Sequence, residues 1–221
     1  MPTNPSSKLC VVLVVSTLGR TGPTRQLLNL ARHLCALSVA VHIVTLSPEP
    51  NESLIDLFRS SKLTLHSLDL TRLQSILFGI TRLKNLITEL DPDIIHSQGL
   101  RSDALCAYLK HPVKITTQRN NPSSDYPRLY GPLVGRLSAL FHVYIQRNLL
   151  VVKCAKSIDQ ESKKNQRRSF VIPNGIDVKS FSPLENPSKR THLRERLALP
   201  KTGCLFLYTG PLIARKNIAC L

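Results

Sequence analysis

The chain has 221 residues, 42% of them hydrophobic, and a formal net charge of +16. This is enough apolar material for one large packed domain, or for one domain and part of another. No run of about 18–20 apolar residues is present, so no membrane-spanning helix is expected. The six cysteines (Cys10, Cys35, Cys106, Cys154, Cys204, Cys220) form no C-x-x-C pair, which excludes a zinc framework or a thioredoxin motif. Most lie among apolar neighbours and are expected to be buried, reduced thiols of a cytoplasmic protein.

The charge is one-sided. Residues 1–110 carry a net of +3 and residues 111–221 a net of +13. A basic half attracts polyanions: nucleic acid, anionic lipid or phosphorylated substrates. Leu9–Leu18 is apolar but short, and no small-residue cleavage site follows it, so it does not read as a targeting segment. Any membrane role is peripheral, at the inner face.

In chain order, Leu9–Ser16 (L-C-V-V-L-V-V-S) is a Val-rich run of the kind buried on both faces of a parallel sheet. Thr17–Thr24 is a loop containing Gly19, Gly22 and Pro23. A helix follows, with Thr24 as its cap and Leu27, Leu28, Leu30, Ala31 and Leu34 along one face. Val39–Leu46 is the next strand. Strand, Gly loop, helix, strand is the opening of an α/β, Rossmann-like parallel sheet flanked by helices. The loop does not spell G-x-G-x-x-G, which weighs against a nicotinamide cofactor. Leu54–Arg59 reads as a short helix, Leu63–Leu68 as a strand and Thr71–Leu90 as a helix. Asp91-Pro92-Asp93 stops that helix and starts a strand ending at His96.

His96, Ser97, Gln98, Gly99 and Arg101 then fall outside a carboxyl strand end, where α/β proteins bind ligands. His96 reads equally well as a residue hydrogen-bonded at a strand end. Asp103 opens the next helix. Val113–Gln118 is a strand followed by Arg119 and Asn120. Tyr126 and Tyr130 can stack on a sugar or simply pack, with packing favoured for Tyr130. Tyr130–Asn148 reads as one amphipathic helix, with Arg136 and Arg147 among Leu133, Leu137, Leu140 and Phe141. A packed helix with solvated arginines is the leading reading, and a helix lying on an anionic membrane the other. Leu149–Ile158 reads as a strand and Asp159–Lys164 as the start of a helix. Lys163, Lys164, Arg167 and Arg168 form a basic cluster at a solvated helix end.

Phe170–Pro183 reads F-V-I-P-N-G-I-D-V-K-S-F-S-P. Phe170, Val171 and Ile172 end a buried strand, which Pro173 terminates because it cannot donate to a ladder. Asn174-Gly175 is a turn signal. Asp177, Phe181 and Pro183 mark an extended exit, which places a domain boundary between residues 1–183 and 184–221. After it, His192–Leu199 reads as a short helix and Cys204–Thr209 as a strand leading to Gly210.

I-P-N-G-I-D followed by F-x-P resembles the interdomain signature of family 4 glycosyltransferases, two-domain enzymes of the GT-B fold. R-x-G-P-T-R-Q-L-L-N-L-A-R-H-L is similar to that family's first loop and helix, and D-P-D-I-I-H-S-Q to its P-D-I-V-H segment. The run G-P-L-I-A-R-K, from Gly210 to Lys216, is similar to the phosphate loop of its second domain. The resemblance implies an N-terminal, acceptor-side GT-B domain (1–183) and the start of a nucleotide-sugar domain (184–221). It implies transfer of a sugar, with retention, from a nucleoside diphosphate sugar to a glycan or lipid-linked acceptor in polysaccharide biosynthesis. No cofactor and no metal are implied.

Carried over position by position, Gly22, Gly210 and Lys216 would meet the donor diphosphate through helix N-termini and charge. Arg25, His96, Ser97, Gln98, Arg101, Arg119, Asn120 and Tyr126 would line the acceptor cleft, and Asn174, Gly175 and Asp177 would form the interdomain segment. Three positions depart from the pattern. Pro23 stands for a second loop glycine and removes an N–H. Arg119 stands where many members have a histidine, and a guanidinium cannot act as a neutral imidazole. Pro211 stands for an arginine of the phosphate loop.

No carboxylate pair identifies itself as a catalytic dyad, so the catalytic groups are not assigned. The family's E-x7-E segment is absent, so the chain is expected to be truncated and inactive alone. Two other classes stay open. One is a non-enzymatic remnant that binds acceptor or an anionic membrane surface. The other is nucleic-acid binding by charge, for which there is no motif and few stacking aromatics, so no specific nucleic acid is expected.

Overall fold

The computed structural model describes residues 8–156, 158, 169–178, 180–184, 186–210, 212 and 220. The chain divides into two compact units, Met1–Gly175 and Ile176–Leu221.

The first unit is a seven-stranded sheet: β1 (Cys10–Val15), β2 (Ala40–Thr45), β3 (Thr64–Ser67), β4 (Ile94–Gln98), β5 (Lys114–Gln118), β6 (Leu150–Lys153) and β7 (Ser169–Val171). The order is β3-β2-β1-β4-β5-β6-β7 and every pairing is parallel. Helices α1 (Gly22–Ala36), α2 (Ile55–Ser60), α3 (Arg72–Leu90), α4 (Leu100–Ala107), α5 (Pro122–Tyr130) and α6 (Pro132–Ile145) connect the strands. This is the Rossmann-like α/β fold expected from the alternation of Val-rich runs and helical segments.

Pleating sends alternate residues of β1 to opposite faces. Val11, Leu13 and Val15 pack with Leu27, Leu28 and Ala31 of α1 and Phe58 of α2. Val12 and Val14 pack on the other face with Leu83 and Ile87 of α3, Leu105 and Cys106 of α4, and Ile145 of α6. Burying both faces of β1 explains its uninterrupted apolar run.

Several boundaries differ from the sequence expectation, each for a local reason. Thr21, not Thr24, caps α1, because Pro23 fits the first turn of a helix and moves the start upstream. Strand β4 runs on past His96 to Gln98, held by register with Val14 and Val15. Helix α4 starts at Leu100, so Asp103 lies inside it rather than opening it. The single helix expected over Tyr130–Asn148 is α5, then α6, then a 3-10 turn at Gln146–Asn148; Gly131, at φ +82, breaks it. Strand β6 stops at Lys153. The helix expected over Asp159–Lys164 and the basic cluster from Lys163 to Arg168 lie outside the described residues. Of the cysteines, Cys106 alone is buried, while Cys35, Cys204 and Cys220 are exposed.

In the second unit, α7 (Pro187–Arg196) begins upstream of the expected His192 because the Asn186 side chain accepts the Ser188 N–H and Pro187 fits the first turn. The buried Arg194 guanidinium closes its far end by donating to the carbonyls of Pro200, Lys201 and Gly203. Cys204–Thr209 is not a strand: it has no ladder partner among the described residues, and Phe206 is 91% exposed.

Candidate functional site

β1 is flanked by β2 on one side and β4 on the other, so the chain leaves these neighbouring strands in opposite directions. Crevices at such reversals are where open α/β sheets bind ligands. A cleft of about 250 Å³ lies there, lined by Ser16, Thr17, Gly19, Thr21 and Pro23 from the β1–α1 loop, and by Gln98 and Gly99 from the end of β4.

The N-terminus of α1 borders this cleft. Thr21 Oγ1 accepts the Thr24 N–H at 3.3 Å, and the Arg25 N–H goes to the Thr21 carbonyl. Pro23 has no N–H, which leaves that of Gly22 as the first turn's remaining donor. No atom stands within 4 Å of where a Cβ on Gly22 would be, so the space beside it is open. Glu49 fixes the loop: both its carboxylate oxygens accept the Leu18 N–H (3.0 and 2.8 Å), and Ser53 Oγ donates to it at 2.6 Å. Thr21 and Glu49 carry no sequence motif, so the sequence reading missed them. A capping threonine before proline was the available signal for the first.

The ends of β4 and β5 supply the polar groups. Arg119 Nε donates to Gln98 Oε1 at 3.4 Å, and Arg119 Nη1 donates to Asn174 Oδ1. Gln26 Nε2 donates to the Gly175 carbonyl at 3.0 Å. Asn174 and Gly175 are thus held from the end of β5 and from α1 at once; neither takes a positive φ and no turn forms there, contrary to the Asn-Gly signal, because these side-chain contacts fix the segment instead. Asn120 accepts, through its carbonyl, from Gln118 Nε2. Gln98 Nε2 and Gln118 Oε1 are enclosed and have no protein partner among the described residues. Each such group costs on the order of 1–3 kcal/mol unless something satisfies it, which marks this edge as built for a polar occupant. Lys153 lies one strand over, in register with Gln118, and is fully buried; the sequence reading did not single it out.

Arg101 donates through Nη2 to Ser47 Oγ at 2.8 Å, and its Nε is enclosed without a partner among the described residues. Burial lowers the pKa of both Arg101 and Arg119 from the ordinary guanidinium value, yet an arginine stays protonated.

The remaining predicted residues are placed elsewhere. His96 is partly buried within β4, and its Nε2 pairs with Thr117 Oγ1 at 2.7 Å. Desolvation pulls its pKa down to about 4, so the ring is neutral at pH 7. Ser97 and Tyr126 belong to a buried network rather than to the cleft. Ser97 Oγ donates to Asp103 Oδ1 (2.6 Å), His142 Nε2 to Asp103 Oδ2 (2.7 Å), and Tyr126 OH to His142 Nδ1 (2.8 Å). The residue types resemble a hydrolase triad, but the serine bonds the aspartate and not the histidine, so no nucleophile is activated. The network ties β4, α4, α5 and α6 together.

Arg25 is exposed on α1. In the second unit, Asp177 accepts from the Ser180 N–H and Oγ, and Gly210 takes a φ of +152. Lys216 lies outside the described residues. Among the described residues no three His, Cys, Asp or Glu gather as metal ligands.

A family model, Glycosyltransferase Family 4, matches residues 20–180. The chain belongs to glycosyltransferase family 4. Among solved structures it is similar to a glycosyltransferase from Rickettsia africae ESF-5 (15% identity, TM-score 0.62, covering 88% of this chain and 51% of that one). It is also similar to sucrose-phosphate synthase from Thermosynechococcus elongatus (15%, 0.64, 87% and 53%) and to Anabaena HepE in complex with UDP (13%, 0.64, 86% and 50%). These likenesses show the fold, that of GT-B glycosyltransferases. The family 4 chain spans about half the length of these three structures. No curated protein matches it.

Proposed function

We propose that residues 1–183 form the acceptor-side domain of a retaining glycosyltransferase, and residues 184–221 the start of its nucleotide-sugar domain. The donor is a nucleoside diphosphate sugar and the acceptor a glycan or lipid-linked precursor, met in the cytoplasm without a metal. What carries this reading is the cleft at the β1–β4 reversal, bordered by the N-terminus of α1 and lined by Gln98, which Arg119 holds by a hydrogen bond, in a chain of family 4. A helix N-terminus and a guanidinium both favour the negative charge that develops on a departing diphosphate. Gly22 supplies the N–H and Arg119 the cation, while Asn120 and Gln98 offer hydrogen bonds to sugar hydroxyls. Arg119 also grips Asn174, which couples the cleft to the segment leading into the second unit.

The test is sugar transfer from a panel of UDP- and GDP-sugars by a form of the protein with a complete second Rossmann domain. Turnover is expected from that form and not from the 221-residue chain. A folded complete form that binds no donor across the panel contradicts the proposal. Robust turnover by the 221-residue chain contradicts its second half.

A further inference from the structure

On one face of the sheet, α3 and α6 are packed inside out. A surface helix ordinarily buries its large apolar residues and exposes its small or polar ones. Here α6 buries Gly135, Ala139 and His142, and only at its last residue a large apolar side chain, Ile145, while Leu133 is 72% exposed, and Leu137 and Leu140 are turned out with it. The first half of α3 repeats the arrangement: Ser75 and Gly79 are buried, and Ile76 is 77% exposed. The small residues are needed inside. A Cβ on Gly135 would overlap the Pro127 backbone and the Tyr126 carbonyl, and one on Gly79 would stand 3.1 Å from Leu105 Cδ2. Close approach to α5 and α4 therefore fixes the rotation of both helices, and the large apolar residues are left facing out. Both helices pack against α4 on the same side of the sheet, so the two apolar faces lie on that side with α4 between their helices.

The charges beside the two apolar stripes are basic. On the part of α3 that carries its stripe, from Arg72 to Lys84, every charged residue is basic, and the helix's one acid, Glu89, lies in its last turn. From Pro122 to Asn148 the exposed charges are Arg128, Arg136 and Arg147, and the one acid, Asp125, is buried. Paired with a second copy of itself, such a face would bring like charges together. Against anionic headgroups the same charges attract, while leucines and isoleucines enter the acyl boundary.

We infer that the outward faces of α3 and α6 form a docking surface for an anionic lipid bilayer. The residues concerned lie outside the cleft, so the inference holds or fails independently of what the protein transfers.

The test is co-sedimentation of the full 221-residue chain with phosphatidylcholine vesicles, with and without phosphatidylglycerol. The wild type is expected on the anionic vesicles and much less on the neutral ones, with binding weakened by salt. Leu137→Glu and Ile76→Glu each place a charge in the apolar stripe and are expected to lower partitioning at least about tenfold. Arg136→Glu is expected to lower binding to the anionic vesicles severalfold while leaving weak binding to neutral ones unchanged. All three positions are exposed, so far-UV dichroism and urea midpoints should match the wild type, and these checks show that the variants are folded. Absence of sedimentation by folded wild type, equal binding to neutral vesicles, or unchanged binding by folded Leu137→Glu overturns the inference. A wild-type dimer that Leu137→Glu converts to monomer also overturns it, by assigning the face to a second copy.

Discussion

On the α1 side of the sheet, Leu27, Leu28 and Ala31 point inward against Val11, Leu13 and Val15, and Arg25 and Arg32 point outward. On the opposite side, α6 points Gly135 and Ala139 inward and Leu133, Leu137 and Leu140 outward. The helices are of similar length and both carry an apolar stripe. They differ in which stripe the sheet accepts. On the first side, α1 itself buries large side chains. On the second, Leu83, Ile87, Leu105 and Ile145 still fill the core, but along most of α6 small residues allow close approach, buried polar groups pin the helix, and its apolar stripe is left for another use. Periodicity alone therefore establishes that a segment is helical without establishing which face is buried.

The comparison can be broken most sharply on the α1 side. Leu27→Ala removes a side chain that is 1% exposed, and the cost should be about 3–4 kcal/mol by urea denaturation. On the other side, adding a single methyl should do damage of similar kind. Gly135→Ala is expected to cost about 2–3 kcal/mol, because the new Cβ must push α6 away from the α5 backbone. If Gly135→Ala were neutral, the account of why α6 is rotated outward would be wrong.

A pH titration sharpens the contrast through His96, which belongs to β4 and pairs with Thr117. Its folded pKa of about 4 lies below the ordinary 6.5, so between these values the unfolded chain binds the proton first. Stability then falls as the pH drops through this window, by roughly 2 kcal/mol at pH 5, and is unaffected above pH 7. His96→Gln should flatten that slope, as measured by urea midpoints from pH 7 to pH 5. The smallest effect is expected on the outward stripe: Leu137→Ser should change stability by no more than about 0.5 kcal/mol, since it loses no buried contact. A large loss there would mean that the stripe is packed against something within the folded chain.

The sheet was legible in the sequence because Val- and Ile-rich runs such as Val11–Val15 and Ile94–Ile95 are buried on both faces and need no partner to identify them. Helix α5 was not legible. No element was expected over Pro122–Tyr130, whose two prolines obscure a helical pattern, although Pro122 sits in the opening turn, where proline is tolerated. Gln98 was found because it lies at a strand end, and Gly22, beside the cleft, because its loop resembles the first loop of the family. Thr21 was missed because Thr24 was read as the cap, and Glu49 because a carboxylate that closes on a loop 31 residues away is set by tertiary placement. Ser97 and Tyr126 were expected at the cleft for the converse reason: proximity along the chain to a strand end does not say which face of the strand a side chain takes. Cys204–Thr209 shows that an apolar run with strand composition forms no strand where it finds no ladder partner among the described residues.

The decisive experiment is sugar transfer from UDP- and GDP-sugars by a form carrying a complete second domain, compared as wild type and Arg119→Ala. The proposal predicts turnover by the wild type and at least a tenfold loss, about 1.4 kcal/mol of transition-state stabilisation, when the guanidinium between Gln98 and Asn174 is removed. A folded wild type that neither binds nor turns over any donor, or an Arg119→Ala variant that transfers at the full rate, would contradict it.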